Sequence, residues 1–298
     1  MLKQISLLIL CAVAIVFFAT PVHACTSAVV SGKVTPDGRP LLWKNRDTDF
    51  MRNHVDYVKG ERYDFIAVVN SANAYLKEAW MGTNSAGFAL MNTQSYNLVD
   101  VKGDEERGAA NGRVIYRALE VCATVEDFCH FLDTISKPSD IEANFGVIDA
   151  QGGAAMFEVD YYKYVMYDAN NPKDAPYGYI ARTNFSFAGK VNEGAGYVRY
   201  MEADQVLMKA SATGSITPQF IFNDLSRSFR NCMLDIDLRS GEYNRPQASG
   251  WFIDQDFIPR SSTSCSVVVQ GVKPGVKAEL TTMWTLLGYP PTGIAVPL

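Results

Sequence analysis

The alternation of apolar and polar positions divides the chain near its start. Residues 5–20 are apolar apart from Ser6, Cys11 and Thr20, with Lys3 ahead of them and Pro21 behind. Val22-His23-Ala24 then offers the small-residue pattern a signal peptidase reads. Residues 1–24 are therefore expected to be a cleaved export signal, and 25–298 the mature domain. The apolar run is short for a membrane span, and no later stretch is a better candidate.

Beyond the signal the period changes. Residues 25–31 (CTSAVVS) are small and β-branched, which predicts a strand beginning at the cleavage site. Pro36-Asp37-Gly38 marks a turn. Leu41-Leu42-Trp43 opens a second strand that runs into Lys44-Asn45-Arg46-Asp47, closing a hairpin whose far end returns to Cys25. Residues 63–70 predict a third strand. Residues 78–82 and 88–92 flank a turn at Asn84-Ser85-Ala86-Gly87. Residues 111–134 carry the clearest helical spacing, through Val114, Ala118, Leu119 and Val121 and then Val125, Phe128, Cys129 and Leu132. Thr124 followed by Asp127 resembles a fresh N-cap, so two helices with a break near Ala123 are expected. Residues 145–148 and 155–159 bracket a hairpin turn at Gln151-Gly152-Gly153. Strands follow at 161–167 and 179–183, helices at 197–209 and 218–229, and strands again at 264–270 and 280–287. Antiparallel hairpins at both ends with helices grouped between them make an α+β pattern, not an alternating βαβ one.

Composition narrows the function. With 48% hydrophobic and 20% charged residues the chain reads as a globular enzyme with a sizeable core. The net charge of -5 is spread with mixed signs and forms no basic stripe, so nucleic acid is not an expected partner. No glycine-rich phosphate fingerprint follows a strand, and no nucleotide cofactor is expected. Of the 6 cysteines, Cys11 leaves with the signal, and the five that remain are an odd number. Cys25 is the natural odd one out. Cys122, Cys129, Cys232 and Cys265 would be either two disulfides in an oxidising compartment or buried free thiols. With no Cys-x-x-Cys and only His54 and His130 past the signal, no metal site is expected.

Processing would change the chemistry of Cys25. Its nitrogen would become a free α-amine, which titrates near neutrality at about 7.7–8.0. Such an amine can take the thiol proton and later protonate a leaving amine, so one residue supplies nucleophile and base. A papain-like pair would need His54 or His130, and no papain-type signature surrounds any cysteine. Asn92 and Asn184 offer neutral donors for an oxyanion. Lys44, Arg46 and Arg199 offer the positive charge that stabilises a thiolate, and Asp47 is placed to hold the α-amine or orient a cation.

In combination these residues resemble the superfamily of choloylglycine hydrolases, penicillin V acylases and isopenicillin N acyltransferases. Cys25-Thr26 matches its mature terminus, and Leu42-Trp43-Lys44-Asn45-Arg46-Asp47 its second-strand motif. Asn84-Ser85-Ala86-Gly87 with the strand ending at Asn92 is similar to its Asn-x-x-Gly hairpin. Arg182-Thr183-Asn184, Tyr197-Val198-Arg199 and Thr282-Met283-Trp284, followed by Gly288 and Pro290, match its later segments. The resemblance implies a four-layer αββα sandwich of two antiparallel sheets and hydrolysis of a linear carbon–nitrogen amide bond. It implies Cys25 as nucleophile, Asp47 as the group positioning amine and thiol, Asn92 and Asn184 as oxyanion donors, and Arg199 as electrostatic support. Bile-salt hydrolases carry Arg where this chain has Lys44, and here Arg46 lies two residues later. Arg and Lys are not interchangeable at a bidentate site, so the supporting role stays divided between Lys44 and Arg46.

The expected partner is a small amide with an apolar or amino-acid-like acyl group, met in the periplasm or outside the cell, by a soluble protein able to form homo-oligomers. No membrane contact is expected after processing. Three other readings remain, one of them an inert structural relative that binds without catalysis, against which the set Cys25, Asp47, Asn92 and Asn184 argues. Val22-His23-Ala24-Cys25 partly resembles a lipoprotein box, which would make Cys25 a lipid anchor of a binding protein. The same nucleophile would also serve an acyltransferase.

Overall fold

The computed structural model describes residues 24–99, 108–243 and 252–298. The expected signal up to His23 lies outside them. Strands β1 (Cys25–Val30), β2 (Leu41–Asp47), β3 (Asn53–Val58), β4 (Phe65–Asn70), β5 (Met81–Asn84) and β6 (Ala89–Gln94) come first. Helices α1 (Asn111–Val121) and α2 (Val125–Thr134) follow, then β7 (Ala143–Ile148), β8 (Ala154–Val159), β9 (Tyr164–Asp168) and β10 (Tyr179–Arg182). Helix α3 (Tyr197–Ala212) precedes the small pair β11 (Arg230–Asn231) and β12 (Ile236–Asp237), and the chain closes with β13 (Thr263–Gln270), β14 (Thr282–Leu287) and β15 (Val296–Pro297).

Two antiparallel sheets result. One has the order β10-β1-β2-β13-β14-β15, and the other runs β3 to β9 in chain order. The period of two along each strand sorts side chains into layers. Val29 and Leu42 point between the sheets, where they meet Val267 and Val269 of β13 and Val68, Met81 and Met91 of the second sheet. Their neighbours Ala28, Val30, Leu41 and Trp43 point the other way, onto Ala203 and Leu207 of α3. On the outer face of the second sheet, Phe65, Leu90, Phe145 and Phe157 pack against Ile115 and Leu119 of α1 and Phe128 and Leu132 of α2. The architecture is an αββα sandwich with three apolar seams. Gly146 lets the sheets approach, since a Cβ there would lie 2.8 Å from Leu42 Cδ1 and 2.9 Å from Val29 Cγ2.

Local chemistry explains the element boundaries. The break between α1 and α2 is made by a capping box: Thr124 Oγ1 accepts from Asp127 N at 3.0 Å, and Asp127 Oδ2 accepts from Thr124 N at 3.1 Å. The β5–β6 turn is closed by Asn84, whose Oδ1 accepts from Ala86 N and Phe88 N, both at 3.1 Å, with Gly87 at φ 76°. The strand β3 has no counterpart in the sequence pattern. Its residues are nearly all half-buried, so neither face carries an apolar stripe. The helix expected over 218–229 is cut short. A turn of helix at Pro218–Phe220 passes into a π-turn at Ile221–Leu225. Ser226 is held to the first sheet instead, its hydroxyl donating to Asn45 Oδ1 at 2.7 Å and its carbonyl accepting from Asn45 Nδ2 at 3.0 Å. All five cysteines from Cys25 to Cys265 are free thiols.

Candidate active site

Cys25 opens β1 and lies opposite Arg46 of β2. Its side chain follows the phase of Val29, toward the space between the sheets. There the sheet ends diverge into a cleft of about 420 Å³ lined by Cys25, Lys44, Arg46, Asp47, Trp80 and Asn92 among others. The thiol sits at the floor, 7% exposed, with Sγ 3.9 Å from the Asp47 carbonyl oxygen.

Behind Cys25, its backbone N–H donates to Asn184 Oδ1 at 2.9 Å. Arg199 Nη2 donates to the same oxygen at 2.9 Å, while its Nη1 donates to Cys25 O and Thr26 Oγ1, both at 2.8 Å. Asn184 Nδ2 donates to Gln94 O at 2.8 Å. Two donors on the oxygen and an acceptor on the nitrogen fix the amide orientation. Arg199 reaches the site because α3 begins at Gly196, whose φ of 85° is a left-handed conformation suited to glycine. A Cβ there would collide with the Arg199 guanidinium.

Asp47 ends β2 on the opposite phase from Lys44 and Arg46. Its Oδ1 accepts from Thr263 Oγ1 at 2.6 Å, Arg260 Nη1 lies 3.9 Å from Oδ2, and Oδ2 is buried without a hydrogen-bond partner among the described residues. Burial raises the Asp47 carboxyl from 3.8 to about 6, against the pull of Arg199, Thr263 and Arg260. A raised carboxyl binds its proton in the folded state where the unfolded chain has lost it. Stability should therefore fall as pH rises from about 4 to about 6 and stay level above, by about 3 kcal/mol for a shift of about 2 units. Urea unfolding of the uncleaved chain and its Asp47→Asn variant at pH 4 and pH 7 measures this. The gap between them should move against the wild type by that amount, and parallel profiles would contradict it.

Lys44 and Arg46 share a phase but have different company. Lys44 Nζ donates to Asn92 Oδ1 at 2.9 Å and to Trp80 O at 3.2 Å. With its oxygen held, Asn92 turns its Nδ2 away from Lys44, and that nitrogen has no partner among the described residues. Burial pushes the Lys44 ammonium below the usual lysine range, and the neighbouring Cys25 opposes that shift. Arg46 donates to Asn53 Oδ1 and, at 2.8 Å, to Asn70 Oδ1, and its guanidinium stacks 4.7 Å from the centre of a Trp80 ring.

The structure thus gathers all seven residues singled out from the sequence. It separates the two asparagines: Asn92 has the uncommitted donor on the cleft, whereas Asn184 engages Cys25 N through its oxygen. The sequence reading gave both the oxyanion role, because spacing does not tell which end of an amide faces the nucleophile. Four residues went unnoticed. Thr263, Arg260 and Gln94 act through contacts far apart in sequence, and Trp80 looked like an ordinary strand residue. Among the described residues, no group of three or more His, Cys, Asp and Glu side chains comes together.

Residues 34–213, more than half of the chain, match the family described as acyl-coenzyme A:6-aminopenicillanic acid acyl-transferase. No curated protein sequence matches the chain. Among solved structures, an ortholog of N-acylethanolamine-hydrolyzing acid amidase from Caenorhabditis elegans is similar at 14% identity and a TM-score of 0.50, covering 87% of this chain and 99% of its own. A mutant conjugated bile acid hydrolase from Clostridium perfringens shares 13% identity with 92% of each chain covered, at a TM-score of 0.49. Penicillin V acylase from Agrobacterium tumefaciens shares 15% identity over 92% of this chain and 86% of its own, also at 0.49.

Proposed function

Because the chain belongs to the acyl-coenzyme A:6-aminopenicillanic acid acyl-transferase family of N-terminal-nucleophile proteins, we propose that it is an exported amide hydrolase whose nucleophile is Cys25 once residues 1–24 are removed. The observation that carries this reading is the setting of Cys25 nitrogen, 2.9 Å from Asn184 Oδ1 and beside a buried Arg199. The acceptor that satisfies this buried N–H in the uncleaved chain would hold the α-amine of the processed one in place. The unpartnered Asp47 Oδ2 supports it too, as an acceptor an α-ammonium would satisfy.

In the proposed reaction the free amine takes the Sγ proton and the thiolate adds to the amide carbon. The carbonyl π electrons move to oxygen, where Asn92 Nδ2 donates to the new oxyanion. Lys44 holds Asn92 in that orientation. The α-ammonium protonates the leaving nitrogen, the carbon–nitrogen bond breaks, and the acyl group remains as a thioester on Sγ. Water, deprotonated by the amine, then adds to the thioester carbon; the carbon–sulfur bond breaks, the acyl group leaves as the free acid, and the α-ammonium returns its proton to the thiolate. An amine acceptor in place of water would give acyl transfer from the same intermediate. The cleft volume suits a small molecule, and Phe50, Leu76 and Trp80 give it apolar wall for an acyl group.

N-terminal sequencing and intact mass of the exported protein test the processing step. The expected chain starts at Cys25 with an unmodified amine. A diacylglycerol adduct on Cys25, or a retained leader in active protein, would contradict it.

A further inference from the structure

We propose that Arg46 is the specificity residue of this cleft and reads a carboxylate on the amide substrate. The inference rests on the proposed amide cleavage, because it uses the same cleft, but its chemistry comes from charge balance. Lys44 and Arg46 are 3% and 4% exposed, and buried cations are normally paired. Buried guanidiniums are held in two ways here: Arg182 Nε donates to the Glu158 carboxylate at 2.7 Å, whereas Arg199, which does not line the cleft, is held by neutral oxygens. Arg46 has no carboxylate within ion-pair distance among the described residues. Its partners are two neutral carboxamides, Asn53 and Asn70, and the face of Trp80.

Among the described residues, the acids lining the cleft face groups other than Arg46. Asp47 faces Thr263 and Arg260, and Glu78 lies 3.5 Å from Arg113. Lys44 is committed to Asn92 and the Trp80 carbonyl. Of the five N–H donors of a guanidinium, Arg46 uses two on asparagines that hold it in place, and it lines the cleft with three donors left. The start of α1 also lines the cleft at Asn111 and Gly112, with no side-chain cap and no acid in its first turn, so its dipole adds to the same sign of potential. A substrate carboxylate would supply the missing counter-charge, on either the acyl or the amine side of the scissile bond.

Matched pairs test this. N-phenylacetylglycine against N-phenylacetylglycinamide places the charge on the leaving amine. Glutaryl-p-nitroanilide against its terminal carboxamide analogue places it on the acyl group. The processed wild type should favour the carboxylate member of one pair by about 10–100-fold in kcat/KM, the size of one charge-assisted bidentate contact. In Arg46→Gln the ratio should fall to about one. Asn70→Asp, which neutralises the guanidinium while keeping the shape of its partner, should do the same even if Arg46→Gln folds poorly. Calorimetry of the same four compounds on processed Cys25→Ala reads the preference without turnover. If none is cleaved but the carboxylate member still binds tighter and loses that advantage in Arg46→Gln/Cys25→Ala, the proposed reaction fails and the subsite stands. Equal behaviour of both members in both pairs, or a preference surviving both variants, would overturn the subsite.

Discussion

Cys25→Ala is expected to leave a folded, processed chain with no measurable amide cleavage, and Cys25→Ser one slower by roughly 10³-fold or more. Both replacements fit the space, since the thiol is small and lines the cleft, with its Sγ 3.9 Å from the Asp47 carbonyl oxygen. Loss of folding is therefore not the expected cause of inactivity. Ser keeps a nucleophilic atom and the α-amine but lacks the readily ionised thiol. Ala keeps the cleft and should still bind substrate. Initial rates at matched folded concentration check this, and normal turnover in a Ser variant shown to start at residue 25 would place the chemistry elsewhere.

The second large effect separates the two asparagines. Asn92→Ala removes the donor proposed for the oxyanion and should cut kcat by about 10²–10³ with KM little changed, because such a contact strengthens in the transition state. Asn184→Ala should behave differently. It removes the acceptor shared by Cys25 N and Arg199 Nη2. It should lower kcat and also cost about 1–3 kcal/mol of stability, the penalty for an unpaired buried donor. Kinetics and urea unfolding on the same preparations distinguish the two patterns. A normal kcat in the folded fraction of both variants would refute the site assignment.

Much of this was legible because strand period and position along the chain are local properties. The hairpin that returns Arg46 to Cys25 followed from residues 25–47 alone, and register then placed Lys44 and Arg46 on the phase facing the cleft. The Thr124–Asp127 box located the break between α1 and α2 for the same reason. What could not be read depended on contacts made only when the layers close. The order β10-β1-β2-β13 brings Thr263 to Asp47 across 216 residues. The shortened helix after Pro218 depends on Asn45, which the pattern presented as one more strand residue. The orientation of Asn184 was equally hidden, because it is set by Gln94 and Arg199, and neither has a spacing rule that links it to an asparagine.

The most direct test of the account is intact mass after brief incubation of processed protein with an N-acyl amide and an acid quench. The predicted result is a mass increase equal to the acyl group, located by digestion on the peptide that begins with Cys25, labile to hydroxylamine as a thioester and absent in Cys25→Ala. An acyl group on any other residue, with Cys25→Ala still turning over, would contradict it.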